Sequence, residues 1–201
     1  MSDPYETRAR INQAALGLFA EQGVEATTTK DIAKAAGIAE GTIYRHYVSK
    51  DDLVWDLFST NYVGFADRLD ALAAEHSGLK FKLLVVIRHF CELFDNDPAL
   101  YRFLLLVQHR NLHRLKAGTR TPVLALSDII SEAMGKGEIP KQDVSLATAF
   151  VLGIVMQPTT FHVYGRLGGK MVDHIPDLAQ AAFNALGGKT TKATADSAAS
   201  G

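Results

Sequence analysis

Residues 37–47 read GIAEGTIYRHY, which places two tyrosines, a threonine, an arginine and a histidine in one short stretch. These side chains offer hydroxyl donors, hydroxyl acceptors and positive charge, but no nucleophile paired with a base. Such a cluster suits a packed core, a catalytic pocket or a surface shaped for a large anion. Helical spacing helps to separate the three. Ile43 and Tyr47 are i, i+4 partners and share one face, directed inward. Glu40, Gly41, Thr42, Tyr44 and Arg45 then point outward. Gly41 permits close approach of another backbone, and Thr42 and Tyr44 offer hydroxyls to phosphate oxygens. Arg45 can contact phosphate or a guanine edge, and Glu40 can accept from cytosine N4 although its carboxylate repels phosphate. His46 is divided between a phosphate contact and a packed, hydrogen-bonded role.

The flanking residues supply the frame. Thr28 followed by Asp31 is a capping-box pattern opening KDIAKAAG, and Gly37 stands where a chain reversal favours positive φ. Ala33 is small where two helices must approach, and Ile32, Ala36, Ile38 and Ile43 are placed to close a small core. Two short helices joined by a tight turn behind a longer helix make a helix-turn-helix unit. Lys30 at the start of the second helix and Lys50 at the start of the fourth would flank the groove as phosphate contacts. Double-stranded DNA is therefore the expected partner.

Net charge gives no support of its own. The chain carries a formal charge of -1, and its first fifty residues hold Arg8, Arg10, Lys30, Lys34, Arg45 and Lys50 against Asp3, Glu6, Glu21, Glu25, Asp31 and Glu40. Placement must carry the case, since a few cations act locally over a Debye length of about 8–10 Å. The single cysteine, Cys91, excludes an intrachain disulfide and fits a reducing cytoplasm. The polar N-terminus does not read as a secretion signal, and the longest unbroken apolar runs are far short of the roughly 20 residues that span a bilayer.

Helical periodicity runs through the chain, so the fold expected is all-α. Helices are predicted from Thr7 to Gly23, over 29–36, 40–47 and 50–75, and then at about 79–95, 98–115, 121–136, 143–166 and 173–187, separated by Gly- and Pro-rich breaks. Residues 189–201 are small and polar and read as a disordered tail.

The run TTTKDIAKAAGIAEGTIYRHYVSKDDL, within about residues 7–55, resembles the DNA-binding domain of the TetR family of one-component transcriptional regulators. By that resemblance Thr29, Lys30, Thr42, Tyr44, His46 and Lys50 match positions that commonly contact operator DNA. Two departures stand out. Ala39 replaces a frequent serine and removes a side-chain cap worth about 1 kcal/mol. Tyr47 replaces a usual phenylalanine and adds a hydroxyl that needs a partner.

The resemblance implies a three-helix DNA-binding domain at 1–50 and an α-helical bundle at 51–188 for effector binding and dimerisation. It further implies a homodimeric repressor released from a palindromic operator by a small, largely apolar effector. Phe58, Tyr62, Phe65, Phe90, Phe94, Tyr101, Phe103, Met156 and Phe161 are candidate cavity residues, with Gln157 a polar anchor beside the helix-breaking Pro158. Taken singly, each is better suited to ordinary core, because an aromatic at helical spacing is usually core. The last two helices are expected to pair with their copies, using Ala147, Ala149 and Gly153 for close approach and Ala179, Ala182, Phe183 and Leu186 as an apolar stripe. No cofactor or metal is expected: His109 and His113 have ligand spacing but no third partner. The basic run Arg102, Arg110, Arg114, Lys116 and Arg120 reads as a solvated face, with recognition of an acidic ligand group as the alternative. Catalysis finds no motif, because Cys91 and the histidines lack a suitably spaced partner. An architectural DNA binder without an effector is the remaining alternative; a C-terminal core with no cavity of a few hundred Å³ would favour it.

Overall fold

The computed structural model describes residues 3–188, so the tail expected at 189–201 lies outside the described residues. Within them the chain forms α1 (Pro4–Gln22), α2 (Thr29–Ala36), α3 (Glu40–Ile43), α4 (Lys50–Glu75), α5 (Leu79–Asn96), α6 (Pro98–Asn111), α7 (Pro122–Gly135), α8 (Val144–Val163) and α9 (Ile175–Ala185). Short 3₁₀ turns at Leu112–Arg114 and Met171–His174 complete the order, and no strand occurs among the described residues.

Local chemistry sets the boundaries. α1 starts before Thr7 because Asp3 caps it, accepting from the Tyr5 amide at 2.9 Å, with Pro4 in the first turn. Its buried residues Ile11, Ala15 and Phe19 recur every four positions and form one stripe. The Thr28–Asp31 capping box opens α2, and Gly37 closes it at φ 63°, ψ 42°. The Arg10 guanidinium donates to the Ala36 and Gly37 carbonyls, just past the last turn of α2. A Cβ on Gly37 would lie 3.1 Å from that guanidinium, so this glycine answers two demands at once.

α3 is shorter than the predicted 40–47. Ala39 has the extended backbone of an N-cap but no side chain to accept a bond. Beyond Ile43 the amides of Arg45 and His46 bond three residues back, to Thr42 and Ile43, so the helix tightens into turns before Tyr47.

Two apolar cores result. One gathers Ile11, Phe19, Ile32, Ile43, Tyr47, Leu53, Leu57, Phe58, Tyr62 and Phe103; the other runs from Leu69 and Leu83 through Ile130 and Val151 to Leu186. α4 contributes to both. The core beneath the short helices therefore does not stop at residue 50 but extends into the first half of α4 and into α6.

Polar bonds brace the second body. Arg120 grips Asp70 through two bonds of 2.7 and 2.6 Å, tying the start of α7 to α4 and holding that carboxyl below its usual range. Lys82, nearly buried, reaches Glu132 at 2.7 Å. Arg110 pairs with Glu25 and Arg114 with Asp51, so much of the basic run is neutralised by carboxylates. No group of three metal-ligating side chains occurs among the described residues.

Two expectations about the last helices change. Ala179, Ala182 and Leu186 of α9 are buried in this chain's own core, against α5 and α8, and do not form an outer stripe. α8 is twenty residues long, with mean hydropathy 1.5, and is apolar enough by length and composition to cross a membrane. Its polar interruptions are a serine, three threonines, a glutamine and a histidine, with no Asp, Glu, Lys or Arg among them. One face packs on α7 and α9, while Leu146, Phe150 and Phe161 are exposed on the other.

Gly37 and Gly17 give opposite expectations for one substitution. Gly37→Ala forces a Cβ into the left-handed region and against Arg10, and is expected to cost about 1–2 kcal/mol in urea unfolding. Gly17, inside α1 with open space around it, is expected to gain about 0.5–1 kcal/mol on conversion to alanine. Equal effects at the two sites would contradict this account.

Candidate nucleic-acid interface

The inward side of the 37–47 stretch is an anchor. Ile43 is fully buried, and the Tyr47 ring is 2% exposed with its hydroxyl at the junction of α1 and α4. That hydroxyl accepts from Arg8 Nε at 3.0 Å and donates to Asn12 Oδ1 at 2.6 Å, with Asp56 Oδ2 at 3.1 Å. Arg8 also binds Asp56 Oδ1 at 2.8 Å, and its guanidinium lies 5.3 Å from the centre of the Tyr47 ring. Burial raises the phenol's pKa, against the opposing bond from Arg8. The guanidinium is itself held further toward its charged form by the Tyr47 hydroxyl and then by Asp56.

The outward side is held from α2. Thr29 Oγ1 donates to Glu40 Oε1 at 2.7 Å and lies 3.3 Å from the Tyr44 hydroxyl. This small cluster bridges the start of α2 to α3 and fixes Glu40 and Tyr44 relative to each other. Tyr44 remains 53% exposed. Lys30, Gly41 and Arg45 are exposed, and Thr42 and His46 are half-buried. Nothing lies within 4 Å of a Cβ built on Gly41, so open space is available for another backbone.

Lys50 is placed differently from its neighbours. Its ammonium donates to the Val24 and Thr27 carbonyls, each at 2.8 Å, and so ties the α1–α2 loop to the start of α4. One N–H remains for a phosphate. Asp31, bonded by the Thr28 hydroxyl and amide, has its pKa lowered and stays ionised as a cap.

The candidate cavity residues do not converge. Phe58 stacks on Tyr62 and Phe103 on Phe19, all within the first core. Phe65 and Phe90 line an apolar cleft of about 60 Å³ with Leu69, Ile87, Leu126 and Val155. Phe94 and Tyr101 meet edge to face beside it, and the Tyr101 hydroxyl bonds Thr159 at 2.5 Å. Met156 is half-buried, whereas Gln157 and Phe161 lie on the exposed face of α8, because their spacing from Phe150 follows the outer stripe.

Sequence reasoning missed Arg8, Asn12 and Asp56. The tyrosine at 47 was the available signal, since a buried hydroxyl demands partners and Arg8 and Asn12 are one turn apart on α1.

A helix-turn-helix whose polar face is bare and whose apolar face is anchored to a helical body defines a DNA-binding transcriptional regulator. The family model described as "Bacterial regulatory proteins, tetR family" matches residues 11–57. The fatty acid metabolism regulator protein of Bacillus subtilis (strain 168) is 32% identical over 156 residues, covering 75% of this chain and 80% of that one. The solved structure of FadR from Bacillus subtilis in complex with stearoyl-CoA aligns with TM-score 0.71 at 26% identity, over 87% of this chain and 96% of that one. FadR from Bacillus halodurans shares the fold with TM-score 0.77 at 22% identity, over 94% and 100%. The chain belongs to the TetR family of bacterial transcriptional regulators.

Ala39 offers a direct check on the local geometry. Its φ of -71° and ψ of 142° are already those of an N-cap. Ala39→Ser is therefore expected to add about 0.5–1 kcal/mol in urea unfolding by capping α3. No gain in stability would show that α3 is held by its anchors alone.

Proposed function

We propose that this chain is a homodimeric repressor whose operator binding is released by a long-chain acyl-CoA. The single observation that carries it is the 32% identity to a fatty acid metabolism regulator over three quarters of the chain. That stretch is too long to be accounted for by the 11–57 DNA-binding match alone. The solved relative that holds stearoyl-CoA supports the ligand class.

Residues 1–50, with the start of α4, form the reading head, in which Thr29, Lys30, Glu40, Gly41, Thr42, Tyr44, Arg45, His46 and Lys50 face the duplex. Hydroxyls and cations meet phosphates, and Arg45 and Glu40 are placed for base edges. Residues 51–188 form the effector and dimer body. The apolar outer face of α8, with Leu146, Phe150 and Phe161, pairs with its copy, setting two heads to half-sites about 34–36 Å apart. Such a regulator works in the cytoplasm and performs no catalysis.

The cleft beside Phe65 and Phe90 is far below the roughly 300–1,000 Å³ of ordinary ligand sites. An acyl chain must therefore open it by parting α4, α5, α7 and α8. Because α4 also carries Asp56, that displacement reaches the reading head, and ligand affinity and operator affinity are linked with opposite sign. The small volume of that cleft supports a second reading, a DNA binder without an effector, against which stands a more open cleft of about 360 Å³ beside Phe94, Arg102 and His162 in the same body.

Fluorescence anisotropy on a duplex enriched by this protein from a random pool separates these readings. Specific, salt-sensitive binding reversed by stearoyl-CoA but not by free coenzyme A is the expected result. Binding indifferent to stearoyl-CoA favours the effector-free reading, and no specific binding overturns both.

A further inference from the structure

A cleft of about 560 Å³ lies between the first half of α1 and the reading helix, lined by Pro4, Thr7, Arg10, Ile38, Ala39, Thr42, Arg45 and His46. Its charge pattern is one-sided. Two arginines and a histidine line it, and no carboxylate is among its lining residues. The groove between α1 and α6 differs, because there Arg110 and Arg114 face Glu25 and Asp51.

Arg10 is the residue of interest. It joins no ion pair among the described residues. One terminal nitrogen, Nη2, donates to the Ala36 and Gly37 carbonyls at the end of α2. Those bonds fix the planar guanidinium at the cleft wall and leave the N–H groups of Nε and Nη1 without a protein acceptor among the described residues. A cation oriented in advance, across from Thr42 and Arg45, matches a phosphate group, which arginine meets with paired N–H donors.

We propose that this cleft seats a backbone phosphate of the operator, with Arg10 as a contact supplied by α1 in addition to the helix-turn-helix. The proposal rests on the DNA-binding function above. Arg10 then positions the reading helix on the duplex and carries no base preference.

The test compares wild type, Arg10→Lys and Arg10→Gln by fluorescence anisotropy over a salt series. The probes are a duplex enriched from a random pool and its scrambled counterpart. Thermal unfolding of each variant reports separately on the bonds at the end of α2. Arg10→Gln is expected to reduce the slope of log Kd against log salt by about 1 on both duplexes, while Arg10→Lys keeps most of it. An unchanged slope in Arg10→Gln, with specific binding by wild type and loss of affinity in Arg45→Ala, overturns the phosphate seat and leaves the DNA-binding function standing. A wild type that shows no salt-sensitive binding overturns both.

Discussion

The reading helix, α1 and α4 meet at one hydroxyl, that of Tyr47. Four residues of α3 cannot hold themselves in water, because a helix that short has not repaid the cost of its first turn. What fixes the stretch is Ile43 beneath it and Tyr47 after it, and the Tyr47 hydroxyl is held by groups from α1 and α4 together. A buried hydroxyl left without partners costs about 1–3 kcal/mol, so the alternatives to this arrangement are few. The same bonds tie the stretch to α4 through Asp56, while Thr29 holds its outward face from α2, so the pose of Thr42, Tyr44 and Arg45 rests on both.

That dependence gives the molecule its route between ends. α4 enters the first core with Leu53, Leu57 and Phe58 and the second with Leu69 and Ala73. Its far half lines the cleft with Phe65 and Leu69, and Arg120 clamps it to α7 through Asp70. A helix packed into two cores is the element through which the proposed release by an effector would act, and it would need no chain of special residues, only tight packing at both ends.

The fold was largely legible in the sequence because its signals are local. Capping at Thr28, the glycine at 37, the Thr–Pro start at 121–122 and the four-residue spacing of Ile11, Ala15 and Phe19 each fix a boundary or a face, whereas the Asp3–Pro4 start lies outside the apolar pattern that places the helix at Thr7. The outward polar side chains of the reading helix were legible for the same reason. The partners of Tyr47 were not, because Arg8 and Asp56 are distant in sequence and only tertiary packing brings them to one atom. Phe65 and Phe90 line one cleft, but Phe58, Phe103 and Phe161 lie elsewhere, because helical spacing shows that they are apolar positions but not which neighbour each faces. Along α9 and its cap the stripe of Ala179, Ala182 and Leu186 is apolar in the sequence, yet pattern alone does not distinguish burial within a chain from burial between chains.

The most direct measurement is a double-mutant cycle on operator affinity with Tyr47→Phe, Asp56→Ala and the pair. Residues that act through one contact show a coupling of about 0.5–3 kcal/mol. The account predicts coupling in that range, with the double variant losing little more affinity than the worse single one. Strictly additive losses would contradict the claim that α4 helps to set the pose of the reading helix through the Tyr47 hydroxyl.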